Sequence, residues 1–326
     1  MILIGILDLP NQHEPVLRDE VITGLNLKRG GVYVDGTFGR GGYSKAILET
    51  PSTLVFGIDR DPVAIAFGVE LSKKYPGRLI MLEGCFGDMA NLIMKKFIKH
   101  IDGVTLDLGI STPQIDDPAR GFSFRFNGPL DMRMSNRGLT AAEFINNATE
   151  EEIANIIYQF GEEKNSRKIA KGITKAREIK PISSTEELVK IIHANVKWPQ
   201  NGNNPATKTF MALRIKVNNE LEELSKGLIG AEKILVPGGR LAVVSFHSLE
   251  DRTVKKFLYK RSGKNSGISR HLPQNLESRA TPSFNLVTRH VIKPGALEVS
   301  ENPRSRSARL RVAERTTAPV LSLEAG

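Results

Sequence analysis

The sequence is poor in residues that form covalent or metal crosslinks. It has one cysteine, Cys85, so no disulfide can form within the chain, and a single free thiol is typical of a reducing compartment such as the cytoplasm. Cys85 lies among apolar residues, a setting in which a lone thiol is usually inert. The six histidines show no spacing typical of metal ligands, so we expect no metal.

Long hydrophobic runs are also missing. No apolar stretch approaches the ~20 residues that a membrane-spanning helix requires. The N-terminal MILIGIL lacks the basic start and the small-residue cleavage site of a signal peptide, so we interpret it as an N-terminal extension. We therefore expect a cytoplasmic protein with no membrane partner.

What the chain does have is an excess of positive charge. Lys and Arg number 46 against 36 Asp and Glu, which gives a net charge of +10 over 326 residues. Such an excess makes a polyanion, nucleic acid in particular, the first partner to consider. The length exceeds that of a usual domain and predicts either one enlarged domain or one domain with an insertion.

A glycine-rich loop follows the first β-prone run. Residues 32–44 read VYVDGTFGRGGYS, in which strand, loop and helix follow one another. This order brings bare backbone N–H groups against a nucleotide-like cofactor. A dinucleotide and S-adenosylmethionine both fit, as does a tight turn that binds nothing. Counted from Gly39, the G-x-G-x-x-G dinucleotide fingerprint has Ser44 in its last place, which favours the small zwitterionic tail of S-adenosylmethionine.

Short strands and helices alternate in the first third of the chain, which predicts an α/β fold with a doubly wound parallel sheet. The predicted strands are 32–34, 54–58, 79–82 and 104–108, and the predicted helices are 44–49, 61–73 and 89–99. Ligands bind beyond the carboxyl ends of such strands, where this sequence has Asp35, Asp59, Phe86 and Asp107. Asp59 is placed to accept hydrogen bonds from ribose hydroxyls, while Phe86 either lies against an adenine or packs in the core.

The segment after Pro113 is irregular. Between residues 120 and 137 it alternates Phe122, Phe124 and Phe126 with Arg120, Arg125, Arg133 and Arg137. Aromatic and basic side chains together can stack on a splayed base and bind its phosphates. For the phenylalanines we favour the simpler interpretation that they anchor the loop to the core.

Helical patterns dominate from residue 139 to about 196 and interrupt the α/β alternation, so we interpret 114–205 as an inserted helical domain that recognises RNA. Residues 1–113 and 206–326 then form the discontinuous second domain.

Local signals mark where helices begin: Thr149 with Glu152 and Ser184 with Glu187 are capping boxes. A single amphipathic helix is predicted from Ala206 to about 235, ended by the following Pro-Gly-Gly, and LAVVSF is predicted to resume the sheet.

The segment SFHSLEDR follows that strand and concentrates polar groups. No G-x-S-x-G elbow is present, which argues against a serine hydrolase. His247 and Asp251, four residues apart, are predicted to share a helical face aimed at the same sheet edge as Asp107. His247 is either a site residue or a structural histidine, and its place at a strand end favours the site.

The C-terminal region ends in an arginine-rich stretch. Residues 260–300 show no periodic pattern, and we interpret them as loop. NPRSRSARLRVAERT is predicted to form a final strand. Its arginines are either a phosphate-binding patch or the solvated face of an edge strand that avoids aggregation.

Several motifs together resemble the MraW/RsmH family. They are, in order, VDGTFGRGGYS, GIDRDP, DGVTLDLGISTPQIDDPARGFSF, GPLDMRM, NPATKTFMALRIKVNNEL, PGGRLAVVSFHSLEDR and NPRSRSARLRV. The resemblance implies a class I, Rossmann-like methyltransferase with a helical insertion. It also implies transfer of a methyl group from S-adenosylmethionine to the exocyclic N4 amine of a cytosine in the decoding region of bacterial 16S ribosomal RNA, within the 30S particle.

The resemblance further implies which residues bind the methyl donor: Gly41, Gly42, Tyr43, Asp59, Phe86, Asp107 and Gln114. The family usually has histidine where Tyr43 stands, which leaves a backbone contact intact. We expect Asp107 and His247 to take part in catalysis, and either a monomer or a homodimer.

Two other function classes fit parts of the sequence. A nicotinamide-dependent oxidoreductase would use the same glycine loop, although its fingerprint is imperfect here. A non-catalytic RNA-binding or assembly protein would keep the cofactor pocket without the chemistry. The sequence favours the methyltransferase.

Overall fold

The computed structural model describes residues 15–98, 100–198, 204–264 and 281–321. The predicted N-terminal extension lies outside these ranges. The chain divides into two compact units, one formed by the described residues of 1–109 and 222–326, and the other by those of 110–221. No helix in the described ranges is long and apolar enough to cross a membrane.

The first unit is built on one mixed sheet. Its strands are β1 (Val32–Asp35), β2 (Leu54–Asp59), β3 (Leu79–Glu83), β4 (Ile101–Asp107), β5 (Leu235–Ser245), β6 (Phe284–Leu286) and β7 (Arg309–Arg315). They lie in the order β3-β2-β1-β4-β5-β7-β6, with β1 to β5 parallel and the last two antiparallel. The predicted doubly wound α/β sheet is confirmed, and its strand order reverses between β1 and β4, where such folds bind ligands.

Alternating side chains bury both faces of this sheet. Val34 and Val243 pack into the cluster on one face, while their neighbours Tyr33 and Val244 pack into the cluster on the other. Helices α1 (Arg18–Leu25), α2 (Gly42–Leu48), α3 (Pro62–Ser72), α4 (Met89–Met94), α12 (Ser248–Arg261) and α13 (Ala296–Glu301) belong to this unit. Because both faces are covered, the strands read as continuous apolar runs, which is why the sequence reveals them.

The second unit is helical. It contains α5 (Thr112–Asp116), α6 (Ala141–Asn147), α7 (Glu150–Gly161), α8 (Ser166–Ile179), α9 (Thr185–Asn195) and α10 (Ala206–Asn218). The predicted capping boxes that begin α7 and α9 are both formed. Fully buried Ile153, Ile169 and Leu188 meet in one core, so the periodic pattern of each helix marks the face that it buries.

Three boundaries differ from those predicted. The helix expected over 206–235 is two helices, α10 and α11 (Glu220–Ile234), because Asn219 between them is left-handed, with φ of 51°. α10 packs its Phe210 and Leu213 with α7 and α9, so it belongs to the helical unit and the insertion extends beyond residue 205. β5 begins at Leu235 and includes the predicted Pro-Gly-Gly break, across which its register with β4 shifts.

The C-terminal region is more regular than predicted. β6 lies within 260–300, where we expected loop, and α13 begins in this range and ends at Glu301. β7 is the predicted final strand, but it is not an edge strand, since it lies between β5 and β6. The idea that its arginines protect an exposed edge is therefore wrong.

Candidate active site

The glycine loop is held in place by Asp35 at the end of β1. The fully buried carboxylate accepts hydrogen bonds from the Ser44 hydroxyl, at 2.7 Å, and from the Ser44 and Thr37 backbone N–H groups. Burial raises the pKa of Asp35 to about 6 despite these bonds. Ser44, in the last place of the fingerprint, therefore fastens the start of α2 to the strand that precedes the loop.

Asp59, at the end of β2, is tied to the same loop. Its Oδ2 accepts the Gly39 N–H at 2.8 Å, and its Oδ1 accepts the Asp61 N–H at 2.9 Å. Burial raises the pKa of this half-buried carboxyl group. A carboxylate has about four acceptor positions, and the backbone N–H groups of Gly39, Arg60 and Asp61 take three of them. One position is left for a hydrogen bond such as that of a ribose hydroxyl.

The predicted contacts of the loop itself are backbone contacts. Gly41 has φ of 68°, a conformation that disfavours any side chain, and an added Cβ would lie 2.8 Å from the Phe38 ring. Gly42 begins α2 against Pro15. The Tyr43 side chain is buried in the core and its hydroxyl donates to the Val16 carbonyl oxygen. Only the backbone of Tyr43 is thus placed to bind a cofactor.

Phe86 lies in a short turn after β3. Its ring is half-buried against the apolar core and approaches the backbone of α11, where a Cβ added to Gly227 would lie 2.5 Å from it. The exposed part of the ring leaves an apolar wall at the sheet edge. Its neighbour Cys85 is partly buried, and burial raises the pKa of the thiol, which disfavours the reactive thiolate.

Asp107 ends β4, the strand between β1 and β5. Its backbone N–H donates to Thr37 Oγ1 at 2.7 Å, whereas its buried Oδ1 has no hydrogen-bond partner among the described residues. Burial, together with the nearby Asp35 and Glu250 carboxylates, holds the pKa of Asp107 well above its usual value. A buried acceptor without a partner is costly in a folded chain, and this oxygen has the capacity to accept a hydrogen bond from a ligand.

The prediction for the SFHSLEDR segment is partly wrong. His247 is not on a helical face with Asp251; it caps the N-terminus of α12, and its Nδ1 accepts the Glu250 N–H at 3.4 Å. Its Nε2 lies 3.0 Å from Glu250 Oε1, within ion-pair distance, but makes no hydrogen bond with the described residues. Asp251 instead forms ion pairs with Arg309 and Arg311 of β7, which hold its pKa below the usual value.

Gln114 belongs to the helical unit. Its side chain is buried, and its Oε1 accepts the Ser111 N–H at 3.0 Å in the capping box of α5. Its contact with a cofactor stays a prediction from the family resemblance.

The irregular segment 117–140 of the helical unit is an ordered loop. The backbone of this loop crosses itself closely at two points. A Cβ added to Gly121 would lie 2.2 Å from the Pro129 carbonyl oxygen, and a Cβ added to Gly128 would lie 1.9 Å from the Pro118 carbonyl oxygen. Asn218 of α10 adds hydrogen bonds to the backbone of Met132 and Met134. Regular hydrogen bonds are thus replaced by contacts between distant residues.

Most aromatic and basic side chains of this loop have structural roles. Phe122 is buried and Phe124 packs edge-on against Phe210, 5.3 Å between ring centroids, so the anchoring interpretation is confirmed for both. Arg120 donates to two carbonyl oxygens of the loop, and Arg133 pairs with Asp131. Exposed residues remain for contact with RNA, namely Arg125, Phe126 and Arg137.

Three residues around the site have hydrogen bonds that sequence reasoning missed. Thr37 and Ser44 bind strand-end groups of β4 and β1, and local periodicity carries no sign of such pairs. Glu250 could have been found, since H-S-L-E has the spacing of a capping box with histidine in first place.

Comparison with known proteins identifies the family. The profile of the MraW methylase family matches residues 10–316. A protein named ribosomal RNA small subunit methyltransferase H from Rhodospirillum centenum is 52% identical over 319 residues, which are 98% of this chain and 97% of that protein. A protein of the same name from Paramagnetospirillum magneticum is 52% identical over 95% of this chain and 98% of its own length.

Solved structures resemble the chain more loosely. One, described as a putative rRNA methylase from Clostridium thermocellum, has a TM-score of 0.42 and 13% identity over 93% of this chain and 98% of its own. The family match excludes the nicotinamide-dependent oxidoreductase, and the predicted resemblance is confirmed. On the family profile and these full-length relatives, the chain belongs to the MraW methylase family.

Proposed function

We propose that this methylase transfers a methyl group from S-adenosylmethionine to the exocyclic N4 amine of a cytosine in the decoding region of 16S ribosomal RNA. The relatives are named for methylation of small-subunit ribosomal RNA. The observation that carries the finer proposal is the buried Oδ1 of Asp107, an acceptor without a partner at the end of the strand next to the glycine loop.

The residues around the loop fit S-adenosylmethionine. Gly41 allows close approach of the backbone, and the Asp59 carboxylate keeps an acceptor position for a ribose hydroxyl. Phe86 offers an apolar wall for the adenine. The carboxylates at this sheet edge also favour a ligand that carries positive charge. S-adenosylmethionine supplies a methyl group that its sulfonium centre has already activated.

The chain has to make the cytosine amine a better nucleophile. The lone pair of that amine is delocalised into the ring, and an acceptor for its hydrogens localises the pair on nitrogen. Asp107 Oδ1 accepts one of these hydrogens in our proposal, and takes the proton that N4 loses when the new N–C bond forms. Because its pKa is raised, the ionised Asp107 carboxylate is a stronger acceptor than an exposed carboxylate.

We propose His247 as a second site residue, whose main role is to position other groups. Its Nδ1 accepts the Glu250 N–H as a helix cap, so only its Nε2 side is left for other groups.

The base must also be out of a duplex stack to react. We assign that recognition to the helical unit, whose exposed Arg125 and Phe126 have the chemistry to contact a splayed nucleotide.

The test is methyl transfer with a mapped product. Small-subunit particles that lack the modification are incubated with labelled S-adenosylmethionine and the protein, and the modified nucleotide is located by mass spectrometry. N4-methylcytidine in the decoding region supports the proposal. A label on another atom or nucleotide overturns the N4 assignment, and tight RNA binding without transfer indicates the non-catalytic alternative.

A further inference from the structure

A basic cavity lies at the other end of the same sheet edge. It has a volume of about 340 Å³ and is lined by His247, Ser248, Lys293, Arg306, Ser307 and Arg309, among others. All of these residues belong to the first unit. Its position follows from the register, because Asp107 pairs with Val244 and the next residue of β5, Ser245, pairs with Arg309.

Local structure explains why the cations face this cavity. The turn Pro303–Ser307 buries Ser305, and the following Ala308 and Leu310 are buried as well, so that Arg306 and Arg309 point away from the core. On the side of β7 away from β5, the backbone groups of Ile292 and Leu310 form two hydrogen bonds with each other. The bridge brings the next residue, Lys293, beside the start of β7.

Protection of an exposed sheet edge does not explain these charges. β7 is flanked by β5 on one side and by the Ile292 bridge on the other, so its arginines protect no open edge. Asp251 accounts for Arg309 and Arg311 as ion-pair partners. Arg306 and Lys293 form no ion pair with any described residue, so the cavity holds uncompensated positive charge.

The start of α12 also favours an anion. The N-terminus of this fourteen-residue helix contributes Ser248 to the lining, and the first turn of a helix attracts negative charge. The His247 side chain lines the cavity and is nine-tenths buried, with its Nε2 3.0 Å from Glu250 Oε1. The acidic groups beside it, Glu250 and Asp251, are already engaged with His247 and the arginines of β7.

We propose that this cavity binds a backbone phosphate of the acceptor RNA, next to the nucleotide that is methylated. This inference rests on the proposed function. β7 lies two strands from β4, about 10 Å at the usual strand spacing, which suits a nucleotide with its base at Asp107 and a phosphate at Arg306. The glycine loop lies one strand further away, so the cavity is separate from the site of the methyl donor.

The test is the salt dependence of RNA binding. The double variant Arg306→Ala/Lys293→Ala and the control Lys256→Ala, an exposed lysine on α12 outside the cavity, are titrated with fluorescein-labelled single-stranded oligocytidylate at several salt concentrations. The slope of log affinity against log salt should become shallower by about 0.7 in the double variant, because the cavity is proposed to bind one phosphate and each phosphate contact with a single strand contributes about 0.7. Slopes equal to that of the control overturn the proposal.

Further measurements distinguish RNA from a small phosphate compound as the ligand, and test the phosphate site separately from the methyl-transfer function. Calorimetry with inorganic phosphate should show no more than weak binding; tight binding, with RNA affinity unchanged in the double variant, would assign the cavity to a small phosphate compound and overturn the RNA assignment. Affinity for S-adenosylmethionine should be the same in all variants, which shows that they fold. Wild-type protein that binds RNA with the expected slopes but transfers no methyl group refutes the proposed function and leaves the phosphate site standing.

Discussion

The carboxyl edge of the sheet has two halves with opposite chemistry. At the ends of β1, β2 and β4 lie carboxylates, each buried or half-buried, whose pKa values are raised. Beyond the ends of β5 and at the start of β7 lie an arginine-rich turn, Lys293 and the N-terminus of α12. One half suits a cationic donor with a ribose, and the other suits a phosphate. The chemistry along one edge of the fold therefore changes from acidic to basic.

Loss of the acidic half at its centre should have the largest effect. Asp107→Asn removes the ionisable acceptor, and we expect methyl transfer to fall by about 10²- to 10³-fold, as for other positioned catalytic hydrogen-bonding groups. Single-turnover transfer to small-subunit particles measures it. Asp102→Asn is the matched control, since Asp102 lies on β4 at the opposite edge of the sheet, where it accepts the Val32 N–H. Equal rates in the two variants would remove Asp107 from the chemistry.

The basic half contains structural as well as free cations, and one variant separates them. Asp251→Ala leaves the nearly buried Arg311 without its partner, and should lower the free energy of unfolding by about 3 kcal/mol. Arg306→Ala should change it by less than about 0.5 kcal/mol, because Arg306 is exposed and has no described partner. Chemical denaturation measures both. Similar losses for the two variants would contradict the distinction.

The acidic half should also make stability depend on pH. Because the folded pKa of Asp35 is raised to about 6 from 3.8, its stabilising contribution is complete below pH 4 and is lost as the pH rises through 6. The loss amounts to about 3 kcal/mol at 1.36 kcal/mol per pKa unit. Asp35→Asn cannot ionise, so the difference in unfolding free energy between wild type and variant should shrink by that amount from pH 4 to 7. A constant difference would show that Asp35 titrates normally.

The smallest effect concerns the methyl donor. Asp59→Asn removes a charged acceptor and should weaken binding of S-adenosylmethionine by about 10- to 100-fold, the range of one hydrogen bond to a charged group. Calorimetry measures the affinity. The control is Glu83→Gln, which should bind S-adenosylmethionine normally. Glu83 is exposed and lies beside Asp59 in the backbone register of β2 and β3. Unchanged affinity in Asp59→Asn would rule out the ribose contact.

The two halves were not equally open to sequence analysis. The strand ends of the acidic half follow apolar runs that the sequence marks clearly, so Asp59 and Asp107 could be located in advance. The pairing of Asp35 with Ser44 joins residues nine positions apart across a loop, and no periodicity reports it. In the basic half, Asp251 and Arg311 are sixty residues apart in sequence, and only the antiparallel β7 brings them together.

Helix boundaries show the same limit. The apolar stripe from 206 to 235 is continuous, so it cannot reveal that Asn219 turns left-handed and divides the helix. The role of the arginines in the irregular loop was equally hidden, because Arg120 and Arg133 bind carbonyl and carboxylate groups whose positions depend on backbone crossings. Local patterns thus report which residues are buried, whereas long-range partners decide what the polar residues do.

The backbone crossings at Gly121 and Gly128 affect where a protease can cleave the loop 117–140. Trypsin must hold an extended stretch of chain on both sides of an arginine, and the loop presents four such bonds. The backbone beside Arg120 and Arg133 is fixed by the crossings and by Asn218, and both side chains are bound. A segment with almost no regular secondary structure should therefore be cleaved after Arg125 and Arg137, and spared at its other two arginines.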